Sequence, residues 1–250
     1  LGAGPASAAT TATVFGVGNS AHFTAGDGQA NDLVVTEVVT GNGYEKLYVF
    51  NDVVPITAGQ NCHRPDETDP TVVACHIDDV GDIPHVTLGL GDGDDDAVVR
   101  TTDIAVVYGG EGDDTVHGNT TGHAVYGEGG DDSLSGAYDQ QGGPGNDTIL
   151  ASPGGWVFGG EGHDTLIGHG GDEKLYAGAG NDVMYGQDGD DLASGEDGED
   201  EIHGGTGNDE ILGGDGDDLI FGNSGDDRLY GNAGVDEISG GAGTNLIRQD

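Results

Sequence analysis

Nine acidic residues stand at a strict interval of nine: Asp164, Glu173, Asp182, Asp191, Asp200, Asp209, Asp218, Asp227 and Asp236, with Asn245 next in line. Carboxylates this frequent make any single pair meaningless as a sign of general acid–base catalysis. What they can do is present oxygen. Each lies two residues after a glycine and two before an apolar residue. Carboxylates and loop carbonyls from neighbouring turns can then face one another as an all-oxygen cage, the kind a hard cation such as Ca2+ takes. Left unfilled, such a column of carboxylates repels itself, so the fold is opposed without metal.

The acids are position six of a nonapeptide, Gly-Gly-x-Gly-x-Asp-x-apolar-x, in ten back-to-back copies from Gly159 to Arg248. Position four is Gly in all ten copies, position one in nine, and position eight is always apolar. Glycine supplies positive φ at no steric cost, so the chain turns tightly and brings its carbonyls inward. A short strand follows, with the position-eight side chain pointing inside and its neighbours outside. Two nonapeptides make one coil of a flattened right-handed spiral with a parallel sheet on each face, so copies i and i+2 stack. Upstream of the strict array the pattern blurs. Gly91–Asp95, Gly109–Asp114, Gly127–Ser135 and Gly142–Leu150 keep the loop, and Asp95, Asp114, Asp132 and Asp147 are further half-sites. Between them, Gly118–Tyr126 has His123 where Asp belongs, Ala151–Phe158 has lost its acid, and the six residues Gly136–Gln141 stand where nine should.

The repeat resembles the RTX (hemolysin-type) calcium-binding β-roll, strictly over about a third of the chain and loosely over about another quarter. That resemblance implies an all-β fold, a right-handed parallel β-roll or β-helix solenoid, with one Ca2+ between each pair of stacked turns. It carries the position-six role onto Asp164, Asp182, Asp191, Asp200, Asp209, Asp218, Asp227 and Asp236. Glu173 and Asn245 depart from the motif, and the sites they would complete are in question.

Composition fits a cation-binding role. The 250 residues hold 47 acidic against six basic side chains, a formal charge of −41. Nucleic acid and anionic membrane surfaces repel such a chain, and no stretch has the length of a membrane-spanning helix. About ten Ca2+ would neutralise roughly half of the charge. Cys62 and Cys75 close a short loop without a metal-binding pattern and read as a disulfide, which persists in an oxidising compartment. Residues 1–9, small and apolar with Ala6-Ser7-Ala8, resemble the end of a secretory signal peptide. RTX proteins exported in one step usually carry a C-terminal signal after the repeats, and none follows Arg248 in this sequence. Both observations point to a secreted, extracellular or cell-surface protein.

Residues 10–88 alternate short β-branched and aromatic runs with turn clusters, without helical periodicity. They read as an irregular N-terminal β cap for the solenoid or as a small β-sandwich, with residues 89–158 as degenerate coils and 159–250 as the regular roll. Coiled throughout at two nonapeptides per turn, the chain would make about fourteen turns, a rod roughly 65 Å long. His163 and His169, in neighbouring loops, and His117 and His203, at outward position nine, read as solvent-facing filler, and no zinc-protease motif or nucleophile elbow occurs. Asn119 and Asn146 head short glycosylation sequons. Outward position nine also carries Ile167, Tyr176, Tyr185, Leu212, Phe221 and Tyr230. These are either strand formers at exposed sites or contact surfaces for another copy, a cell-wall polymer or a carbohydrate. The last coil, lacking a cap in this sequence, is an edge on which copies could stack head to tail into oligomers or fibres. The expectation is a non-enzymatic protein that binds many Ca2+ ions and folds on doing so, as a structural or surface element. The alternatives are a calcium-dependent carbohydrate or cell-wall binding module and, against the scarcity of basic residues, a polysaccharide lyase or epimerase.

Overall fold

In the computed structural model, residues 12–17, 20–26, 28–39, 45–78, 85–118 and 123–249 are described. The expected signal remnant, the Gly41–Gly43 turn and the Asn119 sequon lie outside these residues. The described chain is all β, two stacked 13-stranded sheets and no helix, so no helix is long and apolar enough to cross a membrane.

The N-terminal region holds β1 (Ala12–Val17), β2 (Ser20–Thr24), β3 (Asp32–Val39), β4 (Glu45–Asn51), β5 (Ile56–Ala58), β6 (Cys62–His63) and β7 (Val72–Asp78). The solenoid proper begins with β8 (His85–Asp92) and β9 (Asp96–Arg100). From there even-numbered strands, up to β26 (Leu246–Arg248), form one sheet, and odd-numbered strands, up to β25 (Glu237–Ser239), the other. Every pairing in this part is parallel and joins strands two apart, as in Val183↔Glu201 and Glu201↔Leu219. The stacking of copies i and i+2 therefore holds. The sequence-based count of fourteen turns does not: the first eighty residues double back as antiparallel hairpins, β1 on β2 and β3 on β4 on β7. They nevertheless continue the roll, because β2 pairs in parallel with β8 and β3 with β9. The cap is thus coaxial with the solenoid and shares both sheets.

The two parts are built on different cores. Along the roll, position eight supplies one buried side chain per strand, Leu166, Leu175, Met184, Ala193, Ile202, Ile211, Ile220 and Leu229 in turn. At roughly 1.5–3 kcal/mol for each large side chain, such a core does little more than offset chain entropy. The shortened coil of β14 (Asp139–Pro144) turns Gln140 inward, where its amide nitrogen reaches the carbonyls of Ala137 (2.9 Å) and Leu150 (3.1 Å). In the N-terminal region Phe23, Leu33, Tyr48, Phe50, Ile56, Ile77, Leu88 and Leu90 are all fully buried together. Phe23 and Phe50 stack there at 6.4 Å. Cys62 and Cys75 lie opposite each other in register and form the expected disulfide, tying β6 to β7.

Candidate metal centre

The thirteen predicted acids fall into two files, one on each edge of the flattened coil. Asp95, Asp114, Asp132, Asp147, Asp164, Asp182, Asp200, Asp218 and Asp236 make the first. Each amide donates to the Oδ1 of the next acid, as from Asp164 to Asp182 (2.7 Å), Asp182 to Asp200 (2.8 Å) and Asp200 to Asp218 (3.0 Å). The file is continuous through the blurred part of the sequence, from Asp95 to Asp114 (2.9 Å), Asp132 (2.8 Å), Asp147 (2.8 Å) and Asp164 (2.8 Å). Asp114, Asp132 and Asp147, expected as half-sites, thus have acids stacked on both sides.

The second file is short: Glu173, Asp191, Asp209 and Asp227, joined by the same bonds at 2.8, 3.0 and 3.1 Å and ending on Asn245 Oδ1 at 2.8 Å. Glu173 differs from the rest. Its extra methylene lets both oxygens reach backbone, Oε1 accepting from Gly154 (2.7 Å) and Oε2 from His169 (3.1 Å). Farther upstream, by strand register, Gly155, Tyr138 and His123 occupy the place of the acid. His123 is buried, bonds the Asp103 carbonyl through Nε2 at 2.9 Å, and burial lowers its pKa, which keeps it neutral. It stands where the motif has its acid, as a structural replacement for it.

What remains at each aspartate is one bare oxygen. Twelve of the thirteen acids, all but Glu173, have a buried Oδ2 with no hydrogen-bond partner. Leaving such groups unpaired is costly, and native structures avoid it unless something else is bound there. In ten of the twelve the bare oxygen faces the glycine at position one of its own copy; Asp182 and Asp95 have Ala177 and Leu90 at that position. A Cβ built on Gly195 would lie 2.1 Å from Asp200 Oδ2 and 2.5 Å from the Gly213 carbonyl, and on Gly159 2.3 Å from Asp164 Oδ2 and 2.4 Å from the Ala177 carbonyl. Two acceptors thus converge where no donor stands and no side chain fits. Among the described residues no three His, Cys, Asp or Glu side chains converge on one point. Each such gap presents a bare carboxylate oxygen and a backbone carbonyl, an oxygen set that suits Ca2+. Burial first, and then the charges of stacked acids, raise these carboxyls: Asp114, Asp147, Asp191 and Asp200 to about 7, Asp132, Asp164, Asp209 and Asp218 to about 6. The amide from the preceding coil opposes that shift in each case.

Position four carries the steric demand. Gly198 has φ of 145°, and a Cβ there would lie 1.5 Å from the Gly180 carbonyl oxygen. Position two also takes positive φ, but with side chains too, as at Gln187 (79°) and Glu196 (74°).

The outward position-nine residues form files of their own. Phe158 stacks on Tyr176 at 5.2 Å on one sheet, and His203 lies between Tyr185 (5.0 Å) and Phe221 (4.7 Å) on the other. The rings cover one another's faces and offer mainly their edges. Sequence reasoning overlooked one copy of the repeat. Asp32–Val34 stacks in register on Asp96–Val98, pairing Asp32 with Asp96 and Leu33 with Ala97. Asn31 thus takes position six and Leu33 position eight. Its signal, Gly26 five residues before Asn31 and Leu33 two after it, is present in the chain but lacks the position-four glycine.

Comparison with protein families matches the RTX calcium-binding nonapeptide repeat (4 copies) to residues 106–120, 156–184, 176–211, 185–220 and 212–247. No curated protein and no solved structure matches the chain. Residues 106–120 and 156–247 thus carry RTX calcium-binding nonapeptide repeats, wound into a parallel two-sheet β-roll whose edges carry files of half-satisfied aspartates.

Proposed function

We propose that this is a secreted, non-enzymatic protein that folds on binding Ca2+ between successive coils and serves as an extracellular structural or surface element. The observation that carries the proposal is the set of buried, partnerless Oδ2 atoms in a chain of only six basic residues. Bound calcium supplies the positive charge and the acceptor-binding that the chain lacks. The chain's own part is to space the carboxylates by hydrogen-bonding each Oδ1 to the amide one coil away, leaving Oδ2 free for the ion. Nine acids leave eight gaps on the first edge and four leave three on the second. Glu173 already uses both oxygens, so ten gaps remain. With so thin an apolar core, ion binding contributes much of the folding free energy. Sites on an extracellular module of this kind have Kd of roughly 10⁻⁴ to 10⁻³ M, so the repeats stay unfolded inside the cell and fold outside. The Cys62–Cys75 disulfide agrees with an oxidising compartment.

The exposed ring files favour contact with a second copy or a cell-surface polymer along the two sheet faces. Stacking leaves few ring faces for a sugar, and Lys174 lies over the Trp156 ring at 4.0 Å. This weighs toward protein contact over carbohydrate.

The test is circular dichroism through a calcium titration, with sedimentation on the same samples. A cooperative gain of β signal near millimolar calcium, reversed by chelator, is the expected result. Repeats fully folded in chelator would overturn the proposal.

A further inference from the structure

The first-edge file does not end where the repeat family stops matching. Asn31, at position six of the overlooked copy, donates its amide to Asp95 Oδ1 at 2.5 Å, as every acid in the file does to the next. The orientation of its side chain is set by three acceptors: Nδ2 reaches Asp95 Oδ1 (2.9 Å), the Leu90 carbonyl (3.1 Å) and the Gln29 carbonyl (3.4 Å). Asn31 Oδ1 is left without a partner, and the next residue, Asp32, begins β3, which pairs with β4. Asp52, the residue that follows β4, accepts with Oδ1 from Asp32 (3.0 Å) and Val53 (2.7 Å).

Three oxygens at this seam are left over. Asn31 Oδ1, Asp52 Oδ2 and Asp95 Oδ2 have no hydrogen-bond partner, on residues only 3%, 4% and 2% exposed. Asp95 and Asp52 accept from consecutive backbone amides, those of Asn31 (2.5 Å) and Asp32 (3.0 Å), which brings the two carboxylates to adjacent positions. Among the described residues no ion pair reaches either of them. Two buried carboxylates with no cation, and one buried unpaired amide oxygen on the residue that bonds one of them, form an arrangement that proteins do not leave uncompensated.

We infer that Asn31, Asp52 and Asp95 bind one further Ca2+, at the seam between the hairpin region and the first coil. The donors are all oxygen and carry two charges, as a hard divalent cation requires. Asn31 and Asp52 belong to no residue range matched by the repeat family. The inference rests on the repeats being calcium sites, because the seam continues their file. The seam ion has a different role from the ions of the repeats, since it pins the non-repeat region to the roll.

A proton is the rival occupant, since a neutral Asp52 could donate to Asn31 Oδ1. Asp52→Asn separates the two, because the new amide can donate the same bond but brings no charge. Native mass spectrometry of the calcium-saturated full chain counts the ions, with Asp209→Asn in the second file as control. The expected result is one calcium fewer in Asp52→Asn and a deficit in the control also. A deficit in the control with an unchanged count in Asp52→Asn overturns the seam site and leaves the repeats intact. No deficit in either removes the reading of the repeats as well. Should Asp52→Asn fail to fold, hydrogen exchange on the unmodified chain decides: protection of the Asn31 and Asp32 amides, which hold the two carboxylates, that rises with calcium supports the site, and indifference of these amides to calcium overturns it.

Discussion

The two edges of the roll solve one problem in two ways. On the first edge nine aspartates follow one another from Asp95 to Asp236, each with an oxygen left bare. On the second edge the same positions hold acids only from Glu173 onward, and the upstream coils close on the protein's own groups. There Lys46 bridges Glu37 and Asp103, the Tyr48 hydroxyl donates to Asp103, and His123 bonds the Asp103 carbonyl. A turn completed by side chains is folded at any calcium concentration. A turn completed by an ion is folded only when the ion is present. Calcium dependence should therefore increase along the chain, from a region with a full apolar core and one acidic edge to coils that are acidic on both.

The largest test of that gradient is chelation followed by hydrogen-exchange mass spectrometry. Protection should vanish from residues 174–249, where both edges are acidic, and persist through 45–78, where Tyr48, Phe50, Val73 and Ile77 are buried. Uniform loss along the chain would break the comparison.

Next is acidity in chelator. The folded-state carboxyls lie at about 6 to 7, above the ordinary value near ~3.9 of an unfolded aspartate. The folded chain thus holds protons more tightly. Its stability without calcium is greatest below about pH 4 and is lost as pH rises through 6 to 7. Circular dichroism in chelator should show β signal returning between pH 8 and pH 5, and its absence would mean that the files are not what opposes folding.

Gly198→Ala comes third. With a Cβ 1.5 Å from the Gly180 carbonyl and φ of 145°, the roll must shift locally, at a cost of roughly 3 kcal/mol or more. Calorimetry at saturating calcium should show the C-terminal transition lowered and the N-terminal one unmoved.

Lys46→Met is the smallest and the sharpest. It leaves Glu37 and Asp103, both largely buried, without their cation and should destabilise the upstream coils by roughly 2 kcal/mol. The number of calcium ions bound should not change, because Lys46 lies on the upstream part of the second edge, where no acid file runs.

Much of this was legible in the sequence. The interval of nine announces the files from Asp164 to Asp236, and the invariant apolar position eight announces the inward ladder. Two cysteines in a chain without a zinc pattern announced their own pairing. The distribution between edges was not legible, because register depends on coil length and the coils vary. Asp95 to Asp114 spans nineteen residues, Asp132 to Asp147 fifteen and Asp147 to Asp164 seventeen. The residues gained or lost fall on the second edge, so that the first stays in step while the second drifts through Tyr138 and His123 before Glu173 restores it. Nor could the coaxial cap be foreseen. Asn31 and Asp95 are 64 positions apart, with two hairpins inserted between stacked loops, and no local pattern spans such an excursion. Asp52 carries no motif at all, and only the pairing of β4 with β3 brings it to the seam.

The outermost strands of the N-terminal region are its shortest. β5 has three residues and closes one sheet, and β6 has two and closes the other, fastened to β7 by the Cys62–Cys75 bond. A parallel solenoid is, in cross-section, close to a fibril, and its end faces are templates on which a stray strand can grow. Among the described residues this face offers a newcomer only a few rungs, held by a covalent clasp that cannot fray. Aggregation by strand addition is therefore blunted at this end of the molecule.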